Sequence, residues 1–370
     1  MDIRSLIREE ILAQAAYPVV TTPCRIKLDA NESSLAIPPR LRERFADLLA
    51  SIPLNRYPEA GSVALTSRFA KAFGVGADQV ILGNGSDELI QILCQALARP
   101  GAAVMIPIPT FVMYRIIALN SCFRVAAIPL DNAFDLDLPA MEEQMATHPP
   151  ALIFLAWPNN PTGNCFSRER IEAILKAASG IVVVDEAYFH FAEKTFLPEL
   201  ARHKTLVILR SLSKVGLAAM RIGLLVGPPA LIHELHKVRL PYNINALSQA
   251  AAGFYLDEEE AFLRQAAEIR RWRGELFSAL DALAGIHPWP TEANFIFFSC
   301  DFDADRIYSL LMQRGILIKN FSAPGRLKGF MRVTVGAREE NQEFLEALRD
   351  ILRVEAPIVQ AVPAKKMRDS

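Results

Sequence analysis

Short runs of aliphatic residues recur between residues 80 and 227. Each is followed by a cluster of small polar residues and then, for most, by a stretch of helical periodicity. The runs VIL (80–82), VMI (104–106), 125–128, LIFLA (152–156), IVVV (181–184), TLVIL (205–209) and RIGLLVG (221–227) are too short and too uniformly apolar to be amphipathic helices. They read as buried strands. Residues 86–99, 110–120, 138–148 and 167–178 between them read as helices. Such alternation predicts an α/β architecture with a mostly parallel sheet sandwiched by helices. Right-handed crossovers would bring the strand C-terminal ends to one edge, where such sheets bind ligands. The clusters GNGSDE, PNNPTG, DEAY and SLSK each follow a strand, so all four should converge there.

The flanks differ. Residues 3–14 place Ile3, Leu6, Ile7 and Ile11 on one face of an expected helix, and 26–34 read as a short strand entering a polar loop. Helices are expected over 38–52, opening on proline, and over 62–74, ending on glycine. Beyond Val238 the pattern gives helices at 245–256, 258–283, 303–314 and 338–354, with strands at 294–298, 316–318 and 331–335. That is a second, smaller α/β unit. The expected division is an N-terminal arm and small-domain segment (1–50), a large domain (51–250), a small C-terminal domain (251–354) and a flexible tail (355–370).

The chain has 370 residues, 51% of them hydrophobic and 22% charged, with a net charge of −1. This leaves ample core and argues against recognition of nucleic acid or a membrane surface through overall charge. The five cysteines form no CxxC pair and suit a reducing cytoplasm. The N-terminus carries both signs of charge, unlike a signal peptide, and no apolar run is long enough to cross a bilayer. His233 and His236 lie at helical spacing without an HExxH pattern and read as solvated; no metal is expected.

The convergent clusters carry the chemistry. Lys214, delivered by an apolar strand among Ser211, Ser213 and Arg221, has the setting an amine needs to lose its proton and attack a carbonyl. GNGSDE opens a helix after a strand, so free N–H groups at Ser86 and Asp87 face an anion such as phosphate. Asp185 ends a buried strand and calls for a cationic partner such as a pyridinium N–H. Tyr188 and Asn160 can serve a ring oxygen, and Phe111 offers a flat face. Singly, each has an ordinary alternative: a solvated lysine, a plain turn, a structural ion pair, a turn asparagine, a core phenylalanine. Together they match pyridoxal 5′-phosphate.

NNPTG, VVVDEAY and SLSKVGLAAMR resemble the fold-type I pyridoxal-phosphate aminotransferases. KLDANE, NRYPE, GNGSDE, PTFVMY, EANFIFF and MRVTVGAREEN are similar to the histidinol-phosphate aminotransferase family over nearly the whole chain. The resemblance implies that Lys214 holds the cofactor and moves a proton, that Asp185 keeps the ring nitrogen protonated, and that Asn160, Tyr188 and Phe111 contact the ring. It places Ser86, Asp87, Ser211, Ser213 and Arg221 at the phosphate. It implies that Tyr57 reaches the neighbouring subunit's phosphate, hence a homodimer. Arg332 would grip the substrate anion, Tyr17 and Asn31 would line that end of the site, and Arg326 is a second candidate by position. The implied substrates are histidinol phosphate with 2-oxoglutarate and glutamate. An aromatic amino-acid aminotransferase or a threonine-phosphate decarboxylase-like enzyme is the alternative. Ser33 and Ser34 stand where the family has Asn-Pro. A transcription-regulator sensor built on this fold would need a basic N-terminal DNA-binding module, and only one helix is expected there.

Overall fold

A computed structural model describes residues 2–16 and 22–355. Tyr17 and the tail beyond residue 355 lie outside the described residues. Among the described residues, twelve strands form two sheets. In chain order they are β1 (Ile26–Leu28), β2 (Val80–Asn84), β3 (Ala103–Ile108), β4 (Arg124–Pro129), β5 (Leu152–Ala156), β6 (Ile181–Asp185), β7 (Leu206–Ser211), β8 (Ile222–Val226), β9 (Ile286–Pro288), β10 (Phe295–Cys300), β11 (Ile316–Phe321) and β12 (Phe330–Thr334).

The larger sheet runs β2-β8-β7-β6-β5-β3-β4. Its neighbours are parallel except at β8, which is antiparallel to both β2 and β7. That reversal matters for the site. A strand running backwards begins where the others end, so Arg221, just before β8, lies at the same edge as the residues following β6 and β7.

The uniformly apolar runs are buried on both faces, and the period of two divides them between two cores. Ile153, Leu155, Val182, Val184, Leu206 and Ile208 enter one core, with the helices Val63–Phe73 and Arg168–Ala177. Leu152, Phe154, Val183, Val207 and Leu209 enter the other, against Ser86–Leu97 and Val112–Asn120. Each such side chain, fully buried, contributes roughly 1.5–3 kcal/mol. Among the described residues, no helix is long and apolar enough to cross a membrane.

The smaller sheet runs β1-β11-β12-β10-β9. β1, from the N-terminal part, pairs parallel with β11, with Ile26 opposite Ile316. Ile296 and Phe298 pack beneath this sheet with the helix Arg338–Val354, while Phe295, on the other face, meets Tyr188 at 5.2 Å. Phe297 points the other way into the large-sheet core and stacks on Phe330 at 4.7 Å.

Most expected elements fall within a few residues of the observed ones. The expected N-terminal helix is instead a 3-10 turn (Ile3–Leu6) and a single α turn (Glu9–Leu12), broken at Ile7–Arg8 and largely exposed. Its apolar stripe finds no core wide enough to nucleate a longer helix. Arg8 instead anchors this arm to the carbonyl of Asn120 at 2.7 Å. Ser62, which opens the expected helix 62–74, makes no capping side-chain hydrogen bond, because it lies in the left-handed region at φ 49°.

Candidate active site

A cavity of about 990 Å³ opens between the two sheets. Asn31, Ser86, Asp87, Phe111, Asn160, Asp185, Tyr188, Ser211, Ser213, Lys214, Arg221 and Arg332 all line it. β6 and β7 therefore bring Asp185 and Lys214 to one chamber, as their parallel register requires.

Lys214 sits in the wide turn Ser213–Leu217, which Gly216 can close only because it adopts φ 109°. Its Nζ donates to the Ala30 carbonyl at 3.3 Å and lies 6.0 Å from the centre of the Tyr188 ring. Burial, and then the charge of Arg332, lower the Lys214 pKa to about 8. A neutral amine is thus within reach at physiological pH. Asp185 is buried, and desolvation raises its pKa to about 6. Two donors oppose that rise: the Tyr114 hydroxyl to Oδ2 at 2.6 Å and the Ala187 N–H to Oδ1 at 2.9 Å.

The helix Ser86–Leu97 begins without a side-chain cap, after Gly85 at φ 82°. Its first N–H groups therefore remain available to an anion. Around them, Ser211 and Ser213 share a hydroxyl–hydroxyl bond of 2.8 Å, and Arg221 Nη2 donates to Asp87 Oδ2 at 3.2 Å. Arg221 holds φ 52°, unusual for a non-glycine residue and typical of a position fixed by its surroundings. A Cβ on Gly85 would run into the Arg221 guanidinium, and one on Gly223 into the backbone of Gly85 and Ser86. Glycine is thus needed at both positions for the cradle to form. Asp87 Oδ1 is sealed from solvent without a hydrogen-bond donor.

The opposite polar wall comes from the smaller sheet. Arg332 on β12 is buried, donates to Asn160 Oδ1, and reaches the Asp29 carbonyl at 2.6 Å. Lys319 on β11 is its Cα partner and also lines the cavity; burial, and then Arg332, lower its pKa. Asn31, at φ 55°, donates through Nδ2 to the Tyr188 hydroxyl at 2.9 Å. Its backbone is tied to Thr334 and Asn294.

Phe111 lines the cavity and meets Tyr114 edge-on at 5.4 Å. Tyr57 lies outside the lining, 82% exposed and stacked on Tyr242 at 4.7 Å. Arg326 also lies outside it. Its guanidinium donates to the carbonyls of Leu130 and Asp131 and covers the Phe134 ring at 4.4 Å.

Two site residues were not singled out from the sequence. Tyr114 lies within PTFVMY, the segment that also supplies Phe111. Lys319 lies one residue past the apolar run 316–318, which the structure extends as β11 to Phe321.

Comparison with known proteins agrees with this geometry. The model of the family "aminotransferase class I and II" matches residues 25–348. A histidinol-phosphate aminotransferase 2 of Nitrosococcus oceani is 45% identical over 346 residues, 93% of this chain and 96% of that one. A histidinol-phosphate aminotransferase of Chromobacterium violaceum is 43% identical, covering 94% and 98%. The crystal structure of the Sinorhizobium meliloti histidinol-phosphate aminotransferase, in complex with pyridoxal-5′-phosphate, superposes with a TM-score of 0.84. It covers 94% of this chain and 98% of that one at 22% identity, a likeness of fold.

Proposed function

The chain belongs to the class I and II aminotransferases. From that premise we propose that it moves the amino group of L-histidinol phosphate to 2-oxoglutarate, with pyridoxal 5′-phosphate as cofactor. The observation that carries this reading is a single cavity with two separate anion-binding walls. One is the uncapped helix start with Ser211, Ser213 and Arg221; the other is the Arg332–Lys319 pair. The first suits a cofactor phosphate, and the second the phosphate of the amine donor or a carboxylate of 2-oxoglutarate.

The residues present fit the cofactor. Ser86, Asp87, Ser211, Ser213 and Arg221 would hold its phosphate, Asp185 its ring nitrogen, Asn160 and Tyr188 its ring oxygen, Phe111 its face and Lys214 its aldehyde. When bound, the cofactor supplies an aldehyde for the amino group and a ring that accepts the electron pair left at the substrate α-carbon. Lys214, with its lowered pKa, would carry the proton from that carbon to the former aldehyde carbon and carry it back in the reverse half-reaction. Asp185, itself buried, would hold a proton on the ring nitrogen through a charge-assisted bond. Asn31 and Asn160 hold Tyr188 and Arg332 in place, which fixes the substrate's orientation.

A homodimer belongs to the same proposal. Tyr57 and Tyr242 stack on the surface, with Leu54 78% exposed and Leu240 71% exposed beside them in sequence. An apolar patch of this kind suits a second copy of the chain. The cytoplasm is the compartment that accords with a biosynthetic aminotransferase.

Two measurements test the reading. The purified protein with pyridoxal phosphate should have a visible absorption band that Lys214→Ala abolishes. Initial rates with histidinol phosphate, phenylalanine and threonine phosphate, each against 2-oxoglutarate, should be highest for histidinol phosphate. Faster turnover of phenylalanine would overturn the substrate assignment.

A further inference from the structure

We propose that Tyr114 is a positioning residue for Asp185, its phenol holding the buried carboxylate charged and aimed at the cofactor ring. The proposal rests on the reading of Asp185 as the partner of the ring nitrogen.

The carboxylate has little else in its favour. Asp87, from the helix Ser86–Leu97, and Glu186, the next residue just past β6, both oppose its charge, and burial opposes it more. The opposing donors are the Ala187 N–H on Oδ1 and the Tyr114 hydroxyl on Oδ2. At 2.6 Å the latter has the length of a hydrogen bond to an ionised acceptor. Tyr114 also remains a donor, because burial, and then Asp185, push its own pKa well above the ordinary value.

The donor cannot swing away. Tyr114 is fully buried, and its ring lies flat on Phe154 of β5 at 4.7 Å and 5°. It also meets Phe111 in a T-shaped contact, the two rings at 87°. One aromatic ring therefore touches both the acid assigned to the ring nitrogen and the plate assigned to the ring face. Lys214 and Tyr188 line the same chamber.

The test is a titration of apoprotein with pyridoxal 5′-phosphate across the pH range, using wild type, Tyr114→Phe, Asp185→Asn and the double variant. Tyr114→Phe keeps the stacked ring and removes only the donor. It should raise the cofactor dissociation constant about tenfold, the scale of one hydrogen bond to a charged group. It should also move the acid limb of binding, set in wild type near the Asp185 value of about 6, to higher pH. In the Asp185→Asn background the same change should alter affinity less than about twofold, since no charge remains to be held. An unchanged acid limb, or an equal loss in both backgrounds, would mean that Tyr114 is only a packing residue and would overturn the proposal. An Asp185→Asn variant that binds cofactor like wild type would sink the reading of Asp185 itself.

Discussion

Lys319→Ala separates binding of the substrate's phosphate from the chemistry. Lys319 sits beside Arg332 on adjacent strands, half-buried in the cavity wall, and burial already lowers its pKa. A unit charge about 4 Å from a phosphate oxygen, at an effective dielectric near 20, gains about 4 kcal/mol before desolvation. Removing water from both groups and ordering the lysine side chain reduce that to about 1.5–3 kcal/mol for a charged hydrogen bond. Loss of Lys319 also relieves repulsion on Arg332, so the lower half of that range is expected. Steady-state kcat/KM for histidinol phosphate should fall about 13- to 45-fold, at about 1.36 kcal/mol per factor of ten. Histidinol, which lacks the phosphate, should change by less than about threefold, because the Lys214 and Asp185 geometry is untouched. Lys319→Arg should retain most of the activity, since the charge stays in place. An equal loss on both donors, or none on histidinol phosphate, would refute the assignment of this wall to the substrate anion.

Three further outcomes follow from the geometry. Gly85→Ala must place a Cβ against Arg221 at φ 82°; it should release bound cofactor at concentrations that saturate wild type, checked by equilibrium dialysis. Arg210→Met leaves Glu186 buried without its bonds of 2.8 and 3.0 Å from Arg210, and should lower stability by about 3–5 kcal/mol in urea unfolding. Retention of wild-type stability would show that Glu186 takes up a proton or is rehydrated at little cost. The rate at which apoprotein takes up pyridoxal phosphate should rise with pH through about 8 and then level, because burial and Arg332 disfavour the ammonium form of Lys214. A rise continuing to the ordinary lysine value of 10.5 would contradict that cause.

The strand pattern made the larger sheet legible because seven short apolar runs leave few architectures open. The antiparallel sense of β8 was not legible: an apolar run carries no record of its direction. Asp185, Lys214 and Ser86 could be placed at one edge because each directly follows or ends a strand. Lys319 could not, since it belongs to a strand whose apolar part stops one residue earlier, and its partnership with Arg332 is a matter of register across non-adjacent segments. Tyr114 was hidden for another reason. A tyrosine on an apolar helix reads as core, and here it is core, yet its hydroxyl reaches an acid 71 positions away. The split between Asn159 and Asn160 was also invisible. The first holds the turn through Thr110, Pro109 and Thr162, while the second lines the cavity.

The cavity takes its reactive groups from β6, β7 and the loops around them, but its outer cations come from β11 and β12, which fold around a different core. Selection can therefore act on what the enzyme accepts and on what it does as nearly separate traits. Exchanges at Lys319 could redirect the same proton-transfer apparatus to amines with other anionic groups, whereas Arg332 also lowers the Lys214 pKa and ties the two traits together.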